Sequence, residues 1–395
     1  MSIKQNYKHT VAACYIGYIT QAVINNFIPL LFLTFHDIYN ISIEKLGLLV
    51  TVNFATQLTV DLIAAKAADK IGYRPLIVSA HVFAVLGFIA LTTLPDLLPD
   101  PYIGLCLSII LYAIGGGLTE VLISPIVEAC PTDGKSAAMS LLHSFYCWGS
   151  VLVVLGTTVF FHFFGTEAWR IAALLWALIP LFNIFYFTLV PINTLNENGE
   201  GMKVRKLLSS STFYILALLM LCSGASELAM SQWASAFAES GLNVTKTIGD
   251  IMGPCFFAVL MGLSRILHAK LGEKIKLELY LGVSAAVCIV SYLLASLSPA
   301  PILSLIGCGI CGFSVGAMWP GTFSLATERL PKGGTAMFAL LALAGDGGCS
   351  LGPAVVGFVS AFAGDNIKTG LISAVVFPVI MLAVVGVTGW KKKTK

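Results

Sequence analysis

Twelve stretches of mostly apolar residues, each long enough to cross a bilayer, occupy most of this 395-residue sequence. They run over 10–35, 44–67, 75–95, 102–128, 136–163, 169–191, 212–238, 247–269, 277–298, 301–327, 334–363 and 367–390. A helical span needs about 20 such residues. Lipid offers the backbone no hydrogen-bond partner, so only helices or closed barrels cross it. Runs this long and continuous are helices, not the short alternating strands of a barrel. The expected fold is therefore an all-α polytopic membrane protein. Charged residues are only 11% of the chain, against about 25% in soluble domains. That excludes a string of soluble domains. The 57% hydrophobic content excludes disorder. The first apolar run is too long for a cleavable signal peptide and lacks a small-residue cleavage site.

Basic residues set the expected orientation. With both termini cytoplasmic, all but four of the 23 Lys and Arg residues fall on the inner side; Lys45, Arg170, Lys246 and Lys368 fall outside. The one substantial polar break, 192–209, follows the sixth span on the inner side. It divides the chain into an N-terminal six-helix half (1–191), a cytoplasmic linker (192–209) and a C-terminal six-helix half (210–395).

The halves echo each other at an offset of 200 residues. Lys70 and Gly72 correspond to Lys270 and Gly272, and Ser124, Glu128, Pro131 and Gly134 to Ser324, Glu328, Pro331 and Gly334. Six helices plus six is a layout in which two halves rock about a midplane site. The loop residues Ala65, Asp69, Lys70, Gly72 and Arg74 resemble the motif G-x-x-x-D-[RK]-x-G-[RK]-[RK] of the major facilitator superfamily. Ala65 replaces the first Gly and Tyr73 a basic residue; in the second half Ala269 replaces the Asp. The resemblance implies twelve transmembrane helices in two pseudo-symmetric halves, alternating access, a monomer in the plasma membrane, and a gating role for Asp69, Lys70, Gly72 and Arg74. Physically, Asp69 can cap the third helix while Lys70 and Arg74 anchor at the headgroups.

Other patterns fail their context. Gly307 to Gly312 fits G-x-G-x-x-G but lies inside an apolar helix with no preceding strand. Small residues there are expected to let helices approach closely. Cys308 and Cys311 have no second pair or His to complete a zinc site, and the ten cysteines read as packing residues. There is no nucleophile–base set and no phosphate-binding G-x-x-x-x-G-K-[ST]. The chain is thus not expected to be an enzyme, nor to hold a metal or cofactor or bind nucleic acid.

Polar residues inside spans are costly and are functional candidates. Four acids lie well within spans, Asp61, Glu120, Glu227 and Asp346. A carboxyl out of water favours its neutral form, which suits proton coupling. Asn53, Gln57 and Asp61 share one face of the second helix at four-residue spacing. Gln21, Asn25 and Asn26 lie in the first helix before Pro29. Amides donate and accept, as hydroxyl-rich ligands require. Glu227, Gln232 and Trp233 in the seventh helix and Trp319 in the tenth add an acid, an amide and aromatic faces. Trp169 and Trp390 read as interface anchors. Glu120 and His143 fall at similar depth on neighbouring antiparallel helices. No Lys or Arg falls at mid-membrane, Arg265 being near the inner end, so anionic solutes are disfavoured.

Within the superfamily, Gly115-Gly116-Gly117-Leu118-Thr119-Glu120, Leu142 to Gly149 (including His143 and Tyr146) and Ser226-Glu227 with Trp233 resemble the fucose–galactose–glucose:proton symporter branch. In that branch a glutamate of helix four serves proton coupling and substrate binding, and Glu120 takes its place. The branch's aspartate in helix one has no counterpart here. The expected function is secondary active transport, namely proton-coupled uptake of a neutral sugar or polyol. The alternatives are sodium-coupled sugar symport and proton-coupled export of cationic or amphipathic compounds. Export is disfavoured because Gly149 is followed by Ser150, not by the Pro of drug antiporters.

Overall fold

The computed structural model describes residues 3–131, 135–193, 204–271, 276–330 and 333–390; several side chains within these ranges, 65–70 and 143 among them, are not described. The linker expected at 192–209 therefore lies largely outside the described residues.

Among the described residues, twelve helices are long and apolar enough to cross a membrane. They are α1 (Tyr7–Tyr39), α2 (Ile43–Ala64), α3 (Tyr73–Leu97), α4 (Pro101–Val127), α5 (Ser144–Phe164), α6 (Thr166–Leu189), α7 (Ser211–Gly241), α8 (Lys246–His268), α9 (Leu277–Leu297), α10 (Pro301–Ala326), α11 (Leu340–Phe362) and α12 (Ile367–Val387). Local chemistry explains their ends. Asn6 and Asp100 each accept a hydrogen bond from a backbone N–H of the first turn that follows, and Pro101 fills the first helical position of α4. Four helices depart from regular α-helix along their length. Pro29 sits in a 3-10 turn between Asn26 and Phe32 in α1, Ala317 interrupts α10, and π-helical turns occupy Phe237–Gly241 in α7 and Ile251–Cys255 in α8. Turns of the last kind recur at functional positions.

The chain divides into two compact units, Met1–Ile41 with Val52–Glu197, and Ser42–Thr51 with Asn198–Lys395. The start of α2, Ile43 to Thr51, thus groups with the second unit.

In the first unit, backbones meet where a glycine leaves room. A Cβ on Gly87 of α3 would lie 2.6 Å from Tyr112 Cβ of α4, and one on Gly115 would lie 2.9 Å from Ala84 N. Buried polar side chains then lock the helices. His81 of α3 is fully buried; Nδ1 lies 2.8 Å from Ile77 O and Nε2 lies 2.8 Å from Asn183 Nδ2 of α6. A carbonyl can only accept, so Nδ1 carries the proton and Nε2 accepts from the amide, which also donates to Ala13 O of α1.

Two sequence expectations need correcting in this unit. Arg74 was expected as a headgroup anchor. Instead, its guanidinium donates to Thr188 O (2.7 Å) and Val190 O (2.8 Å), satisfying the free carbonyls at the end of α6. Trp169 was expected as an interface anchor. It is fully buried, edge-on to Phe35, with the Arg170 guanidinium 4.6 Å from its ring centre. Arg170 in turn pairs with Asp96 at 2.8 Å and donates to the Tyr39 hydroxyl, joining the ends of α1, α3 and α6. Its position at a helix end suggested an interface, whereas its neighbours form a core.

In the second unit, Gly348 of α11 packs on the backbone of Leu221 and Ala225 in α7, and Gly312 of α10 packs on the backbone of Phe257 in α8. The glycine-rich run at 307–312 is thus a helix-packing surface, as its apolar context indicated. All ten cysteines are free thiols, nine of them buried.

Candidate functional site

The first unit gathers the amides of α1 and α2 into one buried network beside a carboxyl of α4. Gln57 is its hub. Its Oε1 accepts from Gln21 Nε2 at 2.7 Å, and its Nε2 donates to Asn25 Oδ1 at 2.8 Å and to Asn53 Oδ1 at 3.0 Å. Asn53 Nδ2 donates to the same Asn25 Oδ1 at 3.0 Å, and Asn25 Nδ2 reaches Tyr146 Oη of α5 at 3.4 Å. Gln21 Nε2 also donates to Glu120 Oε2 at 3.3 Å. Helical spacing makes this possible, because Gln21 and Asn25, and Asn53 and Gln57, are each four residues apart and stand above one another.

The triple glycine of α4 makes room for it. A Cβ on Gly116 would lie 3.0 Å from Gln57 Cδ and 3.1 Å from Gln21 Oε1; one on Gly117 would lie 2.9 Å from Asp61 Oδ1. Glu120 and Asp61 are half-buried, Glu120 beside Gln21 and Asp61 beside Gly117. Gln21 Oε1 and Asp61 Oδ1 are buried acceptors without a hydrogen bond among the described residues. Each can accept from a hydroxyl. Gly116→Val is expected to push both amides out of register. A buried polar group that loses its partner costs about 1–3 kcal/mol. Solute binding should weaken roughly tenfold to a hundredfold, as read by titration of the purified variant.

Asn26 is near this network, yet its amide is engaged elsewhere, donating to Ala22 O at 2.9 Å and to Ser150 Oγ at 3.1 Å. Asp69, Lys70 and His143 lie outside the described side chains.

The second unit places its candidates differently. Trp233 is buried and its indole N–H donates to Pro353 O at 3.0 Å. Gln232 and Asp346 are buried, and Trp319 is half-buried against Gly345, the neighbour of Asp346. Glu227 is buried but not alone. Arg265 of α8 approaches it to 3.7 Å. This overturns the expectation that the intramembrane acids have no cationic partner. Counting residues from the helix end put Arg265 too near the boundary. Helical side chains lean toward the N-terminus of their helix, and the Arg265 guanidinium reaches back to Met261 Sδ at 3.8 Å.

A second buried charge cluster escaped the sequence reading. Asp250 of α8 is fully buried, bonded to Ser235 Oγ of α7 and paired with Lys246 Nζ at 3.5 Å; Lys246 also lies 3.8 Å from Glu239. The cluster sits between the two π-helical turns. Its four-residue Lys–Asp spacing was the available signal, hidden because Asp250 falls at a span end.

Among the described residues, twelve apolar helices in two units bury carboxyls and amides. Residues 13–353 match the sequence profile of the Major Facilitator Superfamily, and the chain belongs to that family. No curated protein matches the sequence. Among solved structures, a bacterial homologue of the human lysosomal transporter Spinster, inward-facing and occupied, shares 16% identity at a TM-score of 0.77, covering 98% of this chain and 97% of that one. A D-xylose–proton symporter shares 13% identity at 0.76, covering 95% and 97%. The Escherichia coli fucose:proton symporter shares 16% at 0.66, covering 96% and 98%. At such identities the likeness shows the fold alone.

Proposed function

We propose that this transporter takes up a neutral sugar or related polyol in symport with protons. The observation that carries the reading is the network of Gln21, Asn25, Asn53 and Gln57 in contact with Glu120. Its amides match hydroxyl groups, which both donate and accept, and the adjoining carboxyls of Glu120 and Asp61 supply a place for a proton. A protonated Glu120 can donate to a solute hydroxyl as well as accept from one, and symport requires that proton and solute favour each other's binding. The resemblance to the fucose–galactose–glucose branch and the two sugar–proton symporters among the structural neighbours support the same reading. Both termini on the cytoplasmic side of the plasma membrane, a division at 192–209 and a monomeric state complete the proposal.

A panel of hexoses, pentoses and polyols tests the substrate class on the purified protein in detergent. A bound solute raises the melting temperature by mass action, about 2.7 kcal/mol of stabilisation at a hundredfold excess over Kd. A saturable rise with one or more neutral sugars is expected, with sodium making no difference. No rise with any of them removes the sugar reading; a rise that requires sodium removes the proton.

A further inference from the structure

The C-x-x-C of α10 finds a partner in the neighbouring helix. Cys311 Sγ lies 3.9 Å from Cys288 Sγ of α9, while Cys308 Sγ turns toward Met230 Sδ of α7 at 3.6 Å. All three thiols are fully buried, and all lie within the second unit. The backbone brings them together. A Cβ on Gly307 of α10 would lie 2.7 Å from Ala295 N and 2.9 Å from Ser291 O of α9, so the two helices touch there with no side chain between them. They run in opposite directions. About one turn beyond Gly307 in α10 is Cys311, and about one turn before Ser291 in α9 is Cys288. The glycine contact thus sets the register in which the two thiols meet. Tyr292, about one turn from Cys288 on the same face, donates its hydroxyl to Ser226 O of α7 at 2.7 Å and holds α9 in that rotation.

We propose that Cys288 and Cys311 form a redox-sensitive tie between α9 and α10. A disulfide is about 2.05 Å long, so the sulfurs have about 2 Å to close, which small rotations of the two side chains supply. Two S–H bonds break and one S–S bond forms. The two electrons and two protons pass to a two-electron acceptor. Burial in apolar surroundings shields the pair from charged reagents, so the acceptor is a neutral compound that enters the bilayer. The azodicarboxamide diamide, which is reduced to its hydrazine, is the probe for this class. The bond closes a loop through the α9–α10 turn, which restricts the unfolded chain and keeps the two helices from parting. Cys308 stays outside the tie, because its neighbour is a thioether with no S–H to oxidise. The proposal is independent of the sugar reading.

The purified full chain in lipid nanodiscs is treated with diamide, unfolded in detergent, alkylated with N-ethylmaleimide and mapped by mass spectrometry. Two of the ten thiols should escape alkylation, and the peptides carrying Cys288 and Cys311 should be joined. The melting temperature should rise with the extent of joining, and dithiothreitol should reverse both changes. Cys288→Ala and Cys311→Ala should each show neither change, whereas Cys308→Ala should behave like the wild type. The peptide map needs the wild type alone, so it decides the matter whether or not every variant folds. Ten alkylated thiols after exhaustive treatment overturn the proposal, as does a joined pair of Cys308 with Cys311, or joining that leaves the melting temperature unchanged.

Discussion

Glu120→Gln is expected to abolish accumulation of solute while leaving exchange measurable. With one proton per solute, a gradient of one pH unit supports accumulation of at most about tenfold. In proteoliposomes, the wild type should approach that value and the variant should stop near equal concentrations on the two sides. Geometry dictates the split. The side-chain oxygen of a glutamine can still accept from Gln21 Nε2, as Glu120 Oε2 does now at 3.3 Å, so the amide network keeps its partner. Only the exchangeable proton is removed. Counterflow, which needs binding and reorientation but no proton release, should slow and persist. A variant that still concentrates solute against its gradient would strip Glu120 of its coupling role.

Gly348→Val is expected to prevent folding of the second unit. A Cβ at this position already lies 2.8 Å from Leu221 C and 2.9 Å from Ala225 N, and both contacts are backbone, which cannot rotate aside. Overpacking commonly costs about 1–3 kcal/mol and can exceed that where nothing yields; here α7 and α11 must separate. The yield of monodisperse protein after detergent extraction should fall to background. The adjacent Gly347 has nothing within 4 Å of its Cβ position, so Gly347→Ala should express like the wild type. Ala and Val both favour a helix over Gly, so equal loss in both variants would mean that the α7–α11 approach does not set the effect.

The contrast between these residues shows what a sequence of this kind discloses. Helix number was legible because apolar length is dictated by bilayer thickness, and every residue of a span contributes to that signal. The shared face of Asn53, Gln57 and Asp61 was legible from helical spacing alone. What joined it to Gln21, Asn25 and Glu120 was not, since contact between helices depends on rotation about each axis, which one sequence leaves open. The triple glycine at 115–117 stood out as a motif, but its purpose, room for two amide side chains and a carboxyl, emerges only with α2 beside it. The Glu227–Arg265 pair was missed because depth was counted along the backbone, whereas a long side chain carries its charge about a turn away. Trp169 and Arg74 were misread for a related reason. At a helix end an indole or a guanidinium serves lipid or protein equally well, and packing decides which. The expected preference for uncharged solutes rested on the absence of a buried cation, and Arg265 beside Glu227 removes that ground.

The most direct measurement of proton-coupled sugar transport is solute-driven proton movement without any imposed gradient. Proteoliposomes in weakly buffered medium, with no sodium, receive the sugar that raises the melting temperature, and external pH is followed. Entry of solute with protons should alkalinise the medium at once, the signal should collapse with a protonophore, and Glu120→Gln should give none. Uptake of labelled sugar without alkalinisation, or only after sodium is added, would contradict the account.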